Sequence, residues 1–164
     1  MTTPMEFRRY LVDIDSISTQ QLFTDCLVIG AGVAGLRSAI EAAQSRNVIV
    51  VCKATLQDSN TWMAQGGIAS VVGNDDTFES HIADTLHTGC GICDEKIVEQ
   101  VIREGPALIQ QLLEWGAQFD SNDGHISTTL EGGHSHPRIM HAHGDETGRI
   151  IAQTLIEKVK QNQN

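Results

Sequence analysis

Two short, unbroken apolar runs stand out along the chain, DCLVIG at 25–30 and NVIVV at 47–51. Continuous runs of this kind, rather than alternating ones, predict parallel strands covered on both faces. Between them, Val33 to Ser45 has helix-forming composition and sets Leu36, Ile40 and Ala43 on one helical face. Strand, helix and strand within about 30 residues form a βαβ unit. The fold class is therefore α/β, the N-terminal part of a Rossmann-like domain.

Beyond this unit the pattern changes. SNTWMAQGG (59–67) is polar and glycine-bearing and leads into the short apolar run IASVV. Residues 77–88 read as a helix. Asp94 is placed to cap a longer helical stretch to Trp115, which Gly105-Pro106 should break or kink. Residues 117–143 read as irregular or short β structure, rich in glycine and histidine. Asp145 is placed to cap a last helix, whose apolar side is Ile150, Ile151, Leu155, Ile156 and Val159. Residues 1–23 form a lead-in with one short strand around Tyr10–Ile14.

A doubly wound sheet needs several parallel strands with both faces covered. Only two are evident before the sequence reaches KVKQNQN. The expectation is a lead-in over 1–23 and a partial nucleotide-binding domain over 24–164, completed by further sequence or by another chain.

Composition narrows the function. Of 164 residues, 40% are hydrophobic and 20% charged, which suits a folded domain of ordinary size. Twenty-one acidic against 11 basic residues give a net charge of −10, which argues against a nucleic-acid or membrane-surface role. No apolar run approaches the roughly 20 residues of a membrane helix. Arg8-Arg9 are followed by YLVDIDSIS, where Asp13 and Asp15 interrupt what would be a signal-peptide core. The cytoplasm is the expected location, with the four cysteines as thiols. Cys26 and Cys52 are expected as packed strand residues.

Gly30, Gly32 and Gly35 satisfy G-x-G-x-x-G immediately after a strand and at the start of a helix. The first glycine allows the sharp turn, the second lets a pyrophosphate approach bare backbone, and the third lets helix and strand pack closely. The helix N-terminus offers free N–H groups and the positive end of its dipole. The pattern alone is weak; in this context it points to a dinucleotide. About 20 residues on, such loops carry an acid that grips a ribose hydroxyl. Lys53 stands there instead, and a cation cannot accept those hydrogen bonds. A plain NAD site loses support.

Lys53 makes sense beside the next segment. Gly30–Gly35, Cys52-Lys53 and Ser59-Asn60-Thr61 before Ala64-Gln65-Gly66-Gly67-Ile68-Ala69 together resemble the FAD-containing succinate dehydrogenase, fumarate reductase and L-aspartate oxidase flavoproteins. ESHIADTLHTGCGICD (79–94), LLEWGAQFD (112–120) and EGGHSHPRIMHAHGDETGR (131–149) are similar to the aspartate oxidase branch. The resemblance implies FAD, with Ala31, Gly32, Val33 and Ala34 along the pyrophosphate and Lys53 on the adenosine side. Asn60, Thr61, Trp62, Met63, Ala64, Gln65, Gly66 and Gly67 would run beside the flavin ring. Respiratory members carry a histidine before that threonine, bonded to the flavin; Asn60 has no such nitrogen, so the FAD would be non-covalent.

In the aspartate oxidase branch a glutamate matching Glu131 is assigned to the substrate's amino group. Charge complementarity there favours an ammonium-bearing substrate over succinate. His134 and His136 share the motif and are candidate substrate-side residues. The activity implied is oxidation of L-aspartate to iminoaspartate, with oxygen or fumarate as electron acceptor. Quinolinate synthase would be the possible partner that consumes the imine, on a route to NAD. The carboxylate-binding residues, the rest of the FAD domain, a capping domain and a C-terminal helical domain would lie outside this chain, which alone would be inactive.

Other readings remain at this point. A soluble fumarate reductase-like or succinate dehydrogenase-like flavoprotein shares the same motifs, and a non-catalytic nucleotide-binding fragment satisfies the glycine loop. Cys90-x-x-Cys93 with His134, His136, His141 and His143 could be read as zinc ligands, but about 40 residues separate the halves and no second cysteine pair is present. A dithiol redox pair is a further reading of CGIC; no metal is expected. Trp62 and Trp115 are expected to pack, and His81, His87 and His125 show nothing specific.

Overall fold

The computed structural model describes residues 22–162, so the strand expected around Tyr10–Ile14 lies outside the described residues. The chain opens with β1 (Cys26–Ile29), α1 (Val33–Ala42) and β2 (Val48–Val51). β1 and β2 pair in parallel, with Cys26 opposite Val48 and Ile29 opposite Val51. This is the βαβ unit the apolar runs imply. One part of that expectation fails: Leu27 and Ile29 are 55% and 82% exposed, so only the α1 side of the strand pair is covered among the described residues. Cys52 falls just past β2 and is exposed, its thiol donating to the Ala54 carbonyl at 3.2 Å; Cys26 is half-buried. Neither is a fully packed core thiol, because one lies outside the strand and the other on a thinly covered pair.

A second, antiparallel sheet has the order β3 (Ile68–Ala69), β7 (Ile139–Met140), β6 (Thr128–Thr129). β4 (Ser121–Asn122) and β5 (His125–Ile126) form a separate small hairpin. The helices α2 (Phe78–Thr88), α3 (Glu95–Glu114) and α4 (Thr147–Lys160) complete the chain. Thr77 caps α2 by accepting the Ser80 N–H, and Asp94 caps α3 by accepting those of Lys96 and Ile97.

α3 passes through Pro106 without interruption. A proline inside a helix costs about 3 kcal/mol. Burial of Ile102 and Ile109 on the inner face offsets this at roughly 1.5–3 kcal/mol each, with the Asp94 cap adding more. Gly105 lets the helix come close to β3: a Cβ there would stand 3.0 Å from Ser70 Oγ. α4 also departs from expectation. Its N-cap is Glu146 rather than Asp145, and no side chain caps it. The Gly148 N–H instead donates to the Ala64 carbonyl at 3.0 Å. A Cβ on Gly148 would lie 2.1 Å from the Thr61 carbonyl oxygen, so only glycine lets α4 seat its first turn on the 61–64 segment.

Two apolar clusters hold these parts together. Leu36 and Ile40 of α1 pack on Ile151, Leu155 and Ile156 of α4, with Trp62 and Trp115 at the margin. Ile109, Ala117, Phe119, Met140 and Ala142 form the second. Trp115 carries cations on its ring, with Arg37 and Lys158 each 5.6 Å from the centroid. Both tryptophans pack, as expected. Among the described residues no helix is long and apolar enough to cross a membrane.

Candidate functional site

The glycine loop has the form its spacing demands. Gly30 has φ +110°, which a side chain rarely adopts, and its N–H donates to the Val51 carbonyl at 2.8 Å. A Cβ on Gly35 would stand 2.0 Å from the Gly30 carbonyl oxygen, so the third glycine is what lets α1 lie on β1. The first turn of α1 has no acidic residue and no side-chain cap from its N-cap residue, Gly32. Val33 N–H alone meets a side chain, donating to Thr61 Oγ1 at 2.9 Å. A helix start lacking both a carboxylate and its own cap suits a phosphate.

That Val33–Thr61 bond also ties the loop to the second segment. Asn60, Met63, Ala64, Gln65 and Gly66 are exposed, Met63 by 69%. Nothing lies within 4 Å of an added Cβ at Gly66. Gly67 is the opposite: its Cβ would meet Ile139 Cγ2 at 2.3 Å and the Met140 carbonyl oxygen at 2.7 Å. One glycine leaves the outer surface bare and the next lets the run lie on β7. A cavity of about 400 Å³ opens between this segment and the helices, lined by Val33, Thr61, Gly66, Leu112, Trp115 and Ile151. Lys53 is exposed beyond β2.

Glu131 follows β6 and is exposed. Its Oε1 lies 2.7 Å from His141 Nε2 and receives the Thr129 hydroxyl at 3.4 Å. The register pairs Thr129 with Ile139. The two-residue period then puts Thr129, Glu131 and His141 on one face.

His134 and His136 belong to a different cluster, centred on the fully buried Arg138. Its guanidinium grips Asp76 through two 2.7 Å bonds and donates to Asp84 at 2.6 Å, to Ser80 at 3.1 Å and to His134 Nδ1 at 3.2 Å. Because Arg can only donate, His134 Nδ1 accepts and its proton resides on Nε2. His136 Nδ1 is 3.1 Å from Ser80 Oγ and from Ser135 Oγ. The Ser135 backbone N–H, aided by its hydroxyl and by Arg138, holds the Asp84 carboxyl down at about 2 against the opposing effect of burial. Burial pushes Asp76 up, but bonds from Arg138 and the Thr77 N–H outweigh it and leave that carboxyl below its usual range. His81 is buried beside His134, ring centroids 5.5 Å apart, and burial and the Arg138 charge push its pKa down.

The histidines read together as possible zinc ligands therefore part company. His134 and His136 face Arg138 and Ser80, His141 faces Glu131, and His143 lies 3.6 Å from Glu146. The Cys90 and Cys93 thiols face the carbonyls of His87 and Thr85. Among the described residues no three His, Cys, Asp or Glu side chains group as a metal site.

Arg138, Asp76, Asp84, His81 and Thr129 were not singled out by the sequence, and His141 only as a zinc candidate. For Thr129 and His141 the signal is the β6–β7 register, which links residues about ten apart; Arg138 and its partners, 54 to 62 residues away, carry none.

A parallel strand pair, a glycine turn and an uncapped helix start define a dinucleotide-binding domain. Residues 25–163 match the FAD-binding domain family, and the chain belongs to it. FAD is thus the cofactor, and the bare backbone at Gly32 and Gly66 is compatible with it. The chain is similar to the chloroplastic L-aspartate oxidase of Arabidopsis thaliana, 45% identical over 91% of this chain and 23% of that protein. It is also similar to the L-aspartate oxidase of Streptomyces coelicolor, at 46% over 83% of this chain and 24% of the relative. The chain thus spans about a quarter of the curated relatives it matches. Among solved structures, an E. coli quinol fumarate reductase FrdA variant aligns with a TM-score of 0.81, 33% identity, and coverage of 85% of this chain and 24% of that one. The Mycobacterium smegmatis Sdh1 complex in the apo form aligns with a TM-score of 0.76, 38% identity, and coverage of 82% and 23%.

Proposed function

We propose that this chain supplies the pyrophosphate loop, the flavin-side segment and the ammonium-binding carboxylate of an enzyme that oxidises L-aspartate to iminoaspartate. The observation that carries the reading is Glu131 beside His141, at the edge of the sheet on which Gly67 lies. It is supported by the similarity to aspartate oxidases from plants and bacteria.

Ala31 to Gly35 would receive the pyrophosphate on backbone N–H groups and the α1 dipole, Lys53 would lie on the adenosine side, and Asn60 to Gly67 would follow the ring. When bound, FAD supplies the two-electron acceptor for the hydride leaving the substrate Cα; the amino group gives up a proton and the C=N bond forms. The chain's own work is to bind and orient. Glu131 would hold the ammonium, the feature that separates aspartate from succinate. Asn60 leaves the FAD non-covalent. His134 and His136 would act through the ordered loop around Arg138, next to Glu131 in sequence.

In this reading residues 24–164 are part of a larger FAD domain. The residues that bind the substrate carboxylates, and a capping domain, lie elsewhere in the enzyme. The location is cytoplasmic, the acceptor is oxygen or fumarate, and quinolinate synthase takes the imine toward NAD. A fumarate reductase-like activity is the second reading, favoured by the likeness to FrdA and Sdh1. Anaerobic mixing separates them. The full-length, FAD-loaded protein should be bleached by L-aspartate, with oxaloacetate and ammonium appearing as the imine hydrolyses. Bleaching by succinate and not by aspartate overturns the proposal.

A further inference from the structure

His141 stands between two features the proposed function uses, and that function gives it no role of its own. Its Nε2 is 2.7 Å from Glu131 Oε1 and 3.2 Å from Thr129 Oγ1. On its other side, its Cε1 is 3.0 Å from the place a Cβ on Gly67 would take. The ring is thus wedged between the Ala64–Gly67 run and the Glu131 carboxylate. Its side chain is 21% exposed, that of Glu131 46%. The ring is the better held of the two.

The chemistry of the contact fixes the direction of the bond. An ionised carboxylate can only accept, so Nε2 carries the proton and donates. Glu131 needs such a holder. It precedes Gly132 and Gly133, and Gly133 has φ +84°. A flexible glutamate beside two glycines loses rotamer freedom when it binds a cation, which weakens that binding. A donor that fixes the carboxylate beforehand removes part of that cost and leaves the other oxygen, Oε2, for a ligand.

We propose that His141 is a positioning residue for Glu131: its Nε2–H holds the carboxylate at a distance set by ring packing on Gly67, and so raises selectivity for a substrate bearing an ammonium group. The proposal rests on the reading of Glu131 as the amino-group ligand. His141 itself touches no substrate.

The test measures dissociation constants of L-aspartate and succinate, together with FAD content, in the full-length, FAD-loaded protein and its variants H141A, H141Q and E131Q. H141A should weaken L-aspartate by about five- to tenfold, the loss of one charge-assisted bond at a half-exposed carboxylate, and leave succinate and FAD content unchanged. H141Q, which retains an N–H donor, should recover most of the loss. In the wild-type protein, nitrogen NMR should find the His141 proton on Nε2, a readout that needs no variant to fold. An Nδ1-protonated neutral ring would overturn the proposal, as would H141A binding aspartate normally or weakening both ligands equally. The E131Q arm separates the two layers. If E131Q loses aspartate selectively and H141A does not, only the role of His141 fails. If E131Q discriminates nothing, the reading of Glu131 fails and takes this inference with it.

Discussion

The glycine loop and the Glu131–Arg138 region lie in one small chain and are built on opposite principles. In the first, the proposed binding is left to the backbone. Gly30, Gly32 and Gly35 fall within six consecutive residues, and what matters is the side chains they lack. In the second, the contacts are made by side chains far apart in sequence. Asp76 and Arg138 are 62 residues apart, and Glu131 and His141 are ten apart across a hairpin. A backbone site tolerates changes around it but no Cβ within it. A side-chain site tolerates neither removal of a partner nor a change in register.

The difference gives graded ways to break each region. The largest effect should come from Gly32→Val in the full-length protein. A Cβ at this position already sits 3.4 Å from Thr61 Oγ1, and the branched methyls would fill the remaining approach to the bare N–H groups. The expected result is a folded, colourless protein, checked by flavin absorbance beside circular dichroism. Normal flavin content would show that the phosphate does not lie there.

Next in size is Arg138→Met. It strips Asp76, whose side chain is 2% exposed, of its arginine and leaves a buried carboxylate with only the Thr77 N–H at 2.9 Å and His136 Nδ1 3.8 Å away. A loss of about 3–5 kcal/mol is expected by denaturant unfolding. Arg138→Lys should not rescue it, because an ammonium cannot reproduce the two-bond grip on Asp76. Partial flavin retention in this variant would separate the two regions; complete loss would tie them together.

A smaller effect is expected from acid. The folded pKa of Asp84, about 2, lies below its ordinary 3.8. Its contribution is therefore fully present above pH 4 and is lost as pH falls from about 4 to about 2. His81 is also depressed from its ordinary 6.5, so its protonation begins to oppose folding below that pH. Unfolding free energy measured from pH 7 to pH 2 should fall in two stages, and Asp84→Asn should shrink the lower one, which Asp76 shares.

Much of the first region was legible in the sequence. The apolar runs gave β1 and β2, the helical period gave α1, and the glycine spacing gave the turn, because each depends on neighbours within a few residues. Asp94 follows the same local logic as a cap; Thr77, read as the first residue of α2, is its cap instead. Where the sequence misled, a distant contact overrode a local preference. Pro106 stays inside α3 because Ile102 and Ile109 anchor both sides of it. Asp145 is not the cap of α4 because the Ala64 carbonyl, more than 80 residues earlier, takes the Gly148 N–H. Cys52 was placed in a strand that ends one residue before it. Glu131 was found by resemblance alone; its partner His141 could be paired with it only once the β6–β7 register was known. Arg138, a fully buried polar group, gave no local signal, because its partners Asp76 and Asp84 come from just before the α2 cap and from the second turn of that helix.

The measurement that bears most directly on the whole account is substrate discrimination by Glu131. Anaerobic flavin reduction by L-aspartate and reoxidation by fumarate would be followed in the full-length wild-type protein and in Glu131→Gln. Aspartate should bleach the wild type, and the variant should lose that reaction by roughly ten- to a hundredfold, the worth of one hydrogen-bonded charge pair, while fumarate still reoxidises the dithionite-reduced form at the wild-type rate. Equal losses in both directions, or a wild-type protein that aspartate leaves yellow, would contradict it.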